Sequence, residues 1–483
     1  MTRKLLGITN PKVSLNVLTP EQVQQIHTAT LDVIESVGVR FPSPKALDIL
    51  EAHGAVVDRQ AMVARIPGHK VEEYMAKAPP VYTLSAVDPE LDLPLDGNHS
   101  WLGTDGCGVE ILDAWTGERR MTTKKDVGEV ARVADALDSI GFHWIPISAQ
   151  DCPARSRSLH ELQATWGVSR KHVQTETIVT EDEMKAAIEM ASLLVGGREE
   201  LRKRPVLSIM QCTFSPLGHD GGSIEAGLLA AEAGLPVGYM TMASCAATGP
   251  ATMAGNLVVG NAEVIGALTL MQMAFPGAPV YYAAAQTALD LRTGAYTGGG
   301  PEDYLFGAAT NVLADFYNVP LSMGAFATGA KEPNWQAGVE NALSSFMAVS
   351  TLSDMLLGAG LLHGSRILSY EMLMMDSEIW STLYHLFSGI EVNDETLALD
   401  VIRQVGHEGN YLAQKHTRRH MRELWQTTLM DRRPYNVWEE KQDGAREWAL
   451  ERARRILEQP NPQPLDAHID AEFRRIIAAL EAK

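Results

Sequence analysis

The sequence predicts an α/β fold, a TIM (β/α)8 barrel with an N-terminal α+β extension and C-terminal helices. From residue 100 onward, short apolar runs alternate with longer helical stretches, which is the pattern of parallel strands joined by crossover helices. Eight such pairs fit into about 290 residues, the number and length of such a barrel. A doubly wound sheet is the alternative, but no GxGxxG turn leads directly into a helix and no P-loop occurs.

Residues 1–98 form the predicted N-terminal extension. The stretch LTPEQVQQIHTATLDVIESVGV begins with Thr19 as a helix cap, Pro20 in the first turn and Gln22 at the capping-box position. Two shorter helices follow, and VYTLSAVDPELDLPLDG is typical of extended strands joined by turns.

Residues 99–390 form the predicted barrel, with one apolar run for each strand. The runs are WLGTDG (101–106), FHWIPIS (142–148), HVQTETI (172–178), VLSIMQC (206–212), VGYMTM (237–242), VYYAAA (280–285), LSMGAF (321–326) and DMLLGAG (354–360). After the seventh run we expect a polar loop with Lys331 and Glu332, then a helix that begins at Pro333. Residues 391–483 are predicted to be charged helices that pack outside the barrel.

The composition is that of a folded protein with a sizeable core. Hydrophobic residues make up 45% of the 483 residues and charged residues 21%, while the net charge is −19. An excess of acidic groups argues against binding to a nucleic acid, which requires clustered lysine and arginine.

Cysteine usage and hydropathy predict a cytoplasmic protein that does not span a membrane. Cys107, Cys152, Cys212 and Cys245 form no CxxC pair, so the sequence favours neither a zinc ribbon nor a disulfide framework. The amino terminus has no apolar core of signal-peptide length. The apolar stretch 246–274 contains two asparagines and a glutamate, so we interpret it as a buried helix.

Six stretches carry a resemblance to the trimethylamine methyltransferase (MttB-like corrinoid methyltransferase) family over nearly the whole chain. They are LTPEQVQQIHTATLDVIESVGVRF, DAWTGERRMTTKKDVGEVARVADAL, TGPATMAGNLVVGNAEVIGALTLMQM, PGAPVYYAAAQTALDLRTGAYTGGGPE, ATGAKEPNWQAGVENAL and HTRRHMRELWQTTLMDRRPYNVW. The resemblance implies a TIM barrel that moves a methyl group from a methylated amine to the cobalt of a corrinoid on a separate small protein.

The loop after the seventh predicted strand decides the branch of the family that the chain resembles. The trimethylamine branch has a pyrrolysine there, whereas this chain has ordinary residues, with Glu332 as the nearest counterpart. The resemblance therefore implies the branch similar to glycine betaine methyltransferase, which uses quaternary amines. A quaternary nitrogen leaves as a neutral amine without a proton, so the enzyme mainly has to position its substrate.

The expected partners follow from the same resemblance. The chain contains no DxHxxG-type corrinoid motif, so we expect the corrinoid (cobalamin) on a partner protein and no bound metal in this chain. A homo-oligomer is also expected.

Candidate site residues lie just after the predicted strands, because a barrel places its site at the carboxyl ends of its strands. Glu176 and Glu332 are the predicted catalytic residues, and Glu176 is notable because an acid within an apolar run is costly to bury unless it is paired or functional. Aromatic faces, carboxylates and amides suit a quaternary ammonium that carries a carboxylate. The predicted substrate-binding residues are Asp105, Gln211, Phe214, Tyr282, Gln286, Phe326, Trp335 and His363. Tyr282 and Glu176 should both face the barrel mouth.

Two other functions stay open at the level of sequence. A metal-assisted TIM-barrel hydrolase or lyase would need ligands such as Cys212, Cys245 and His363 to converge, although their spacing does not favour a zinc site. A quaternary-amine binding protein that has lost catalysis would keep the barrel and the same pocket.

Overall fold

Eight parallel strands close into a barrel in the computed structural model, which describes residues 4–12, 14–106, 108–296 and 298–483. Each strand pairs with the next along the chain, and the eighth pairs with the first, with Met355 opposite Trp101. The predicted barrel is confirmed, and each apolar run supplies one strand. The first to eighth barrel strands are His99–Thr104, Ile140–Trp144, His172–Thr175, Leu207–Cys212, Val237–Thr241, Val280–Ala284, Leu321–Gly324 and Met355–Ala359. Cys107 lies outside the described residues.

A helix follows each barrel strand and covers its outer face. The eight crossover helices are Lys124–Asp135, Arg157–Trp166, Glu181–Val195, Gly221–Ala233, Met253–Ala274, Pro301–Tyr317, Trp335–Ser350 and Tyr370–Ser388. The prediction that the seventh helix begins at Pro333 is wrong by two residues. The side chain of Asn334 accepts hydrogen bonds from the amides of Gln336 and Ala337, and this cap fixes the first helical residue at Trp335.

The N-terminal extension packs its helices against the fifth crossover helix and a hairpin against the barrel interior. Its helices are Pro20–Ser36, Pro44–Ala52 and Gly68–Met75, and the predicted capping box of Thr19 and Gln22 is present. Its short strands are Ile8–Thr9, Val39–Arg40, Val56–Asp58, Val63–Arg65, Tyr82–Leu84 and Leu93–Leu95. The last two form a hairpin whose leucines pack against side chains inside the barrel.

Side chains of the barrel strands alternate between the barrel interior and the layer between strands and helices. The interior contains Phe142, Trp144, Met210, Tyr281 and Leu357. Their neighbours along the strands pack outward against the crossover helices. This alternation follows from the period of two in a strand, and it decides which strand-end side chains can reach the barrel mouth.

The fifth crossover helix is the one described helix that is long and apolar enough to cross a membrane. The residues of its most apolar window are 83% buried inside the protein. The prediction of a buried helix is therefore confirmed. Its carboxylate Glu263 accepts hydrogen bonds from Thr213, Thr241 and the amide of Leu217, so it ties together the loops after the fourth and fifth barrel strands.

The carboxyl-terminal part consists of six helices on the outside of the barrel. They are Asp394–Leu397, Leu399–Val405, Lys415–His420, Tyr435–Lys441, Ala445–Glu458 and Ala467–Glu481. The last two bury apolar side chains against the crossover helices, whereas the first four bury none of their side chains.

Candidate functional site

A cavity of about 770 Å³ lies at the carboxyl ends of the barrel strands. This is the end at which TIM barrels carry their active sites. A small sheet of Leu361–Leu362, Ile367–Leu368, Glu110–Leu112 and Arg119–Met121 forms from the loops after the first and eighth barrel strands. The cavity is lined mainly by Asp105, Gly106, Trp144, Met240, Met242, Tyr296, Gly324, Lys331, Gln336, Leu357, His363, Gly364, Ser365 and Arg366.

The most informative group in this cavity is the carboxylate of Asp105, which directly follows the first barrel strand. The side chain is buried, and its Oδ1 accepts a hydrogen bond of 2.8 Å from the amide of Gly106. Its Oδ2 is buried too and accepts no hydrogen bond from the described residues. Burial raises the pKa of Asp105 to about 6, although the nearby Ser365 hydroxyl and the Gly106 amide lower it. Above that pH a negative charge therefore lies at the wall of the cavity, on a buried carboxylate whose Oδ2 accepts no hydrogen bond from the described residues.

An aromatic and thioether wall stands beside this carboxylate. Trp144 ends the second barrel strand, and a Cβ atom on Gly106 would lie 2.2 Å from its indole ring, so glycine is required for the close approach. Tyr296 contributes a second ring, and Met240 and Met242 contribute polarisable side chains. Aromatic faces and thioethers attract a cation that has no N–H to donate.

Cationic side chains lie on the wall formed by the seventh and eighth strand-end loops. Lys331 donates from Nζ to the carbonyl oxygen of Gly329 at 2.6 Å. Arg366 lies with Nε 3.4 Å from a carboxylate oxygen of Glu110. The cavity thus presents a carboxylate on one wall and cations on another, which suits a ligand with both charges.

The loop after the seventh strand is held by the helix that follows it. Glu340 accepts hydrogen bonds from the amide of Gly329 at 3.0 Å and from the hydroxyl of Thr328. The amide of His363 donates to the carbonyl of Ala330 at 2.8 Å, which joins the seventh and eighth loops. Lys331 is therefore positioned by an ordered loop.

Asp376 supports the eighth loop from below. Its two oxygens accept hydrogen bonds of 2.8 Å from the amide of Gly360 and from the side chain of Asn341. Burial raises the pKa of Asp376 to about 8, and the charge of Asp105 acts in the same direction. The carboxyl group of Asp376 is therefore mostly protonated at neutral pH.

Asp105 and His363 are the two predicted site residues that line the cavity. Glu176 lies on the inner face, as its position two residues after Gln174 requires, and its Oε2 is 3.9 Å from the sulfur of Cys212. Burial raises the pKa of the Cys212 thiol, and the carboxylate of Glu176 raises it further. Glu176 is half-buried beside Cys212 and does not line the cavity, and both its place at the barrel mouth and its catalytic role stay predictions.

Tyr282 does not face the barrel mouth, so that expectation is wrong. The ring is fully buried between the sixth strand and the crossover helices, while its neighbour Tyr281 points inward and donates its hydroxyl to the carbonyl of Ile209. Successive side chains of a strand point to opposite faces, so Tyr281 faces the barrel interior and Tyr282 faces the helices.

Three more predicted binding residues are buried outside the cavity. Gln211 points outward, and its amide donates to the carbonyl of Ile178 at 2.9 Å. Gln286 donates from Nε2 to the side chain of Asn256 at 2.7 Å. Phe326 packs in the layer between strands and helices. None of these side chains lines the cavity of about 770 Å³, although Gln286 lines a smaller pocket of about 30 Å³ next to it.

The remaining predicted residues lie on the surface. Phe214 is 71% exposed and Trp335 is 82% exposed. Glu332 is also exposed, and Arg446 of a C-terminal helix lies 3.4 Å from its carboxylate. None of these three side chains lines the cavity, so the chain position after a strand did not predict a place in it.

Sequence reasoning missed Trp144, Tyr296 and Met240. For Trp144 a signal existed, because it alternates with Phe142 in the run FHWIPIS and therefore shares its inward face. Tyr296 lies in a glycine-rich loop that carries no periodicity, so only the folded chain shows where it packs. No group of three or more His, Cys, Asp or Glu side chains is placed to hold a metal ion within the described parts of the chain.

Comparison with known proteins gives a consistent result. The family model described as trimethylamine methyltransferase (MTTB) matches residues 1–483. The trimethylamine methyltransferase MttB of Desulfitobacterium hafniense is 34% identical over 95% of this chain and 93% of that protein. The glycine betaine methyltransferase of the same species is 32% identical over 96% of each chain.

A solved structure supports the fold. The monomethylamine methyltransferase (MtmB) of Methanosarcina barkeri superposes with a TM-score of 0.55 at 10% sequence identity, and the match covers 93% of this chain and 89% of that one. At this level of identity the likeness shows the barrel fold alone.

Proposed function

This chain belongs to the trimethylamine methyltransferase (MTTB) family, and we propose that it transfers a methyl group from a quaternary amine resembling glycine betaine to the Co(I) of a corrinoid carried by a separate protein. The family relationship supports methyl transfer from methylated amines. The choice of a quaternary amine and of the acceptor is our proposal.

The observation that carries the proposal is the buried carboxylate of Asp105, whose Oδ2 accepts no hydrogen bond from the described residues, in the wall that Trp144 and Tyr296 also line. A trimethylammonium group cannot donate a hydrogen bond, so a nearby carboxylate charge and the faces of aromatic rings are the partners that it prefers. A substrate without a cationic group would leave the buried carboxylate uncompensated, which is costly away from water. The wall with Lys331 and Arg366 suits the carboxylate of a betaine.

The chemistry at the transferred methyl group needs little from this chain beyond positioning. Reduced corrinoid supplies a strong nucleophile, and the departing quaternary nitrogen becomes a neutral amine without receiving a proton. Asp105 balances the positive charge of the bound substrate, and Trp144 and Tyr296 restrict its orientation. Holding a reactant in one geometry is among the larger contributions to catalysis.

The loop after the seventh strand supports a quaternary rather than a tertiary amine. It reads AKEPN, and the side chain that it directs to the cavity is an ordinary lysine, Lys331. A tertiary amine has to be protonated or otherwise activated before it can leave. None of the described lining residues is a specialised group for that task.

The rim of the cavity supports a protein partner as carrier of the acceptor. Exposed apolar side chains occur next to lining residues: Leu291 adjoins Asp290, and Trp335 adjoins Gln336. Apolar surface around a site mouth is typical of a docking region. Such a partner would bring the corrinoid to the substrate from outside the barrel.

A panel of amines tests the proposal. The protein is incubated with reduced cobalamin and either glycine betaine, other betaines, tetramethylammonium or trimethylamine, and the spectral change to methylcobalamin is followed. We expect turnover with at least one quaternary amine and none with trimethylamine. Calorimetry with the same ligands separates binding from transfer: tight binding of betaines without methyl transfer would identify a binding protein, and robust turnover of trimethylamine would refute the proposal.

A further inference from the structure

The surface between Ile390 and Val437 is unusually apolar for the outside of this protein. Of the 28 large apolar side chains that are exposed in the described parts of the chain, twelve lie in this tenth of the sequence, which we call the C-terminal belt. They are Ile390, Val392, Leu397, Leu399, Ile402, Tyr411, Leu412, Met421, Leu424, Met430, Tyr435 and Val437. Single exposed apolar residues are ordinary, whereas this concentration in one segment is what an interaction surface would produce.

The helices of the C-terminal belt gain little stability from burial within one chain. The four helices between Asp394 and Lys441 have four to seven residues, and none of them buries a side chain. Helices this short are marginal in water without tertiary packing. Burial against a second surface would stabilise these helices, and a second copy of the same chain supplies one wherever the protein is present.

The eighth crossover helix holds the belt to the barrel through a hydrogen bond from Trp425 to Ser381 and through hydrogen bonds to the carboxylate of Glu378. Glu378 of the eighth crossover helix accepts hydrogen bonds from the amide of Thr428 at 2.8 Å and from the hydroxyls of Thr427 and Thr428. The neighbouring side chain of Leu429 is buried. This anchor fixes the position of the belt on the barrel and leaves its apolar side chains pointing to solvent.

The charges of the belt are divided into two opposite halves. Residues 391–410 contain five acidic and one basic residue, a formal net charge of −4, while residues 411–433 contain six basic and two acidic residues, a net charge of +4. Arg419 and Glu395 pair within one chain. Arg418, Arg422 and Glu408 form no ion pair within the described parts of the chain.

We propose that the C-terminal belt is the interface of a two-fold symmetric dimer of this chain. In such an interface each residue i contacts residue j of the other copy and the reverse, so the acidic half of one belt lies against the basic half of the other. The apolar side chains of both belts then pack in the centre and become buried. This inference does not depend on the proposed function.

Sedimentation velocity of the full-length protein at micromolar concentrations tests the interface. We expect the parent to sediment as a dimer or as a larger assembly of dimers. The double substitution Leu412→Glu and Leu424→Glu places two charges among side chains that are 87% and 69% exposed in one chain, and it should raise the dissociation constant about tenfold or more. The matched control is Val56→Glu in the N-terminal extension, which is 64% exposed and should sediment like the parent.

Charge reversal tests the symmetric arrangement. A basic-half variant carries Arg418→Glu and Arg422→Glu, and an acidic-half variant carries Asp394→Lys and Glu408→Lys. Each should dissociate alone, and an equimolar mixture should associate again, because the reversed acidic half of one meets the reversed basic half of the other. Circular dichroism and thermal unfolding confirm that each variant is folded.

Hydrogen exchange gives a second readout on the same samples. Amides of residues 394–438 should exchange slowly in the parent and rapidly in the Leu412→Glu, Leu424→Glu protein, while amides of the barrel strands stay protected in both. A monomeric parent, a double variant that sediments like the parent, or charge variants that dissociate and do not associate on mixing would overturn the proposal.

Discussion

Replacing Asp105 with asparagine should weaken the binding of quaternary ammonium ligands strongly and remove its pH dependence. The substitution keeps the shape and the Oδ1 that accepts from the amide of Gly106, but it removes the charge. A carboxylate about 5 Å from a quaternary nitrogen at an effective dielectric constant of about 20 contributes about 3 kcal/mol. The amide dipole recovers part of this, so we expect a rise in Kd of roughly tenfold to hundredfold.

The pH dependence follows from the pKa of Asp105, which burial raises to about 6. The cation binds the ionised form, so affinity should be full above that pKa and should fall as pH decreases through it. With that pKa, about nine tenths or more of the carboxyl groups are ionised at pH 7.5 and about one tenth at pH 5, so the Kd of the parent should rise roughly tenfold between the two. The Asp105→Asn protein should show no such rise.

Isothermal titration calorimetry with glycine betaine and with tetramethylammonium at four pH values measures both effects. Glu332→Gln serves as the control, because it removes the same charge from an exposed side chain close in sequence to Lys331 of the cavity wall. Its effect on Kd should stay within about twofold, as expected for a solvent-screened charge. Unchanged affinity in Asp105→Asn, or affinity of the parent that does not vary between pH 5 and 7.5, would refute the assignment of Asp105 as the cation site.

Two further predictions concern Trp144 in the cavity wall and Asp376, which holds the loop after the eighth strand. Trp144→Leu should weaken binding of tetramethylammonium by about 1–2 kcal/mol, the range of a desolvated cation–π contact, as measured by the same calorimetry; an unchanged Kd in a folded variant would exclude the contact. In the folded protein Asp376 stays protonated up to about pH 8, whereas in the unfolded chain it ionises near 3.8. As pH rises between these two values, ionisation of Asp376 in the unfolded chain lowers the free energy of unfolding by up to about 1.4 kcal/mol per pH unit. Denaturant unfolding at pH 5.5 and 7.5 should therefore show a smaller loss for Asp376→Asn than for the parent, and equal losses would contradict the raised pKa.

The architecture of this protein is readable from its sequence. Eight apolar runs with helical stretches between them predict a closed parallel barrel, because parallel strands need crossover helices and are buried on both faces. The capping box at Thr19 and Gln22 and the buried fifth crossover helix were also readable, since both depend on residues close together in the chain. The resemblance in six long stretches predicted the family that the comparisons show.

The residues that form the site could not be identified without the folded chain. Tyr281 points into the barrel and Tyr282, the next residue, points outward. In a run of consecutive apolar residues the sequence does not show which alternate positions face inward. The cavity wall at Tyr296 depends on a loop whose path is set by contacts with distant segments, as at Gly364. The raised pKa of Asp105 likewise arises from burial by residues far away in the chain, because desolvation depends on everything packed around a group and not on its neighbours in sequence.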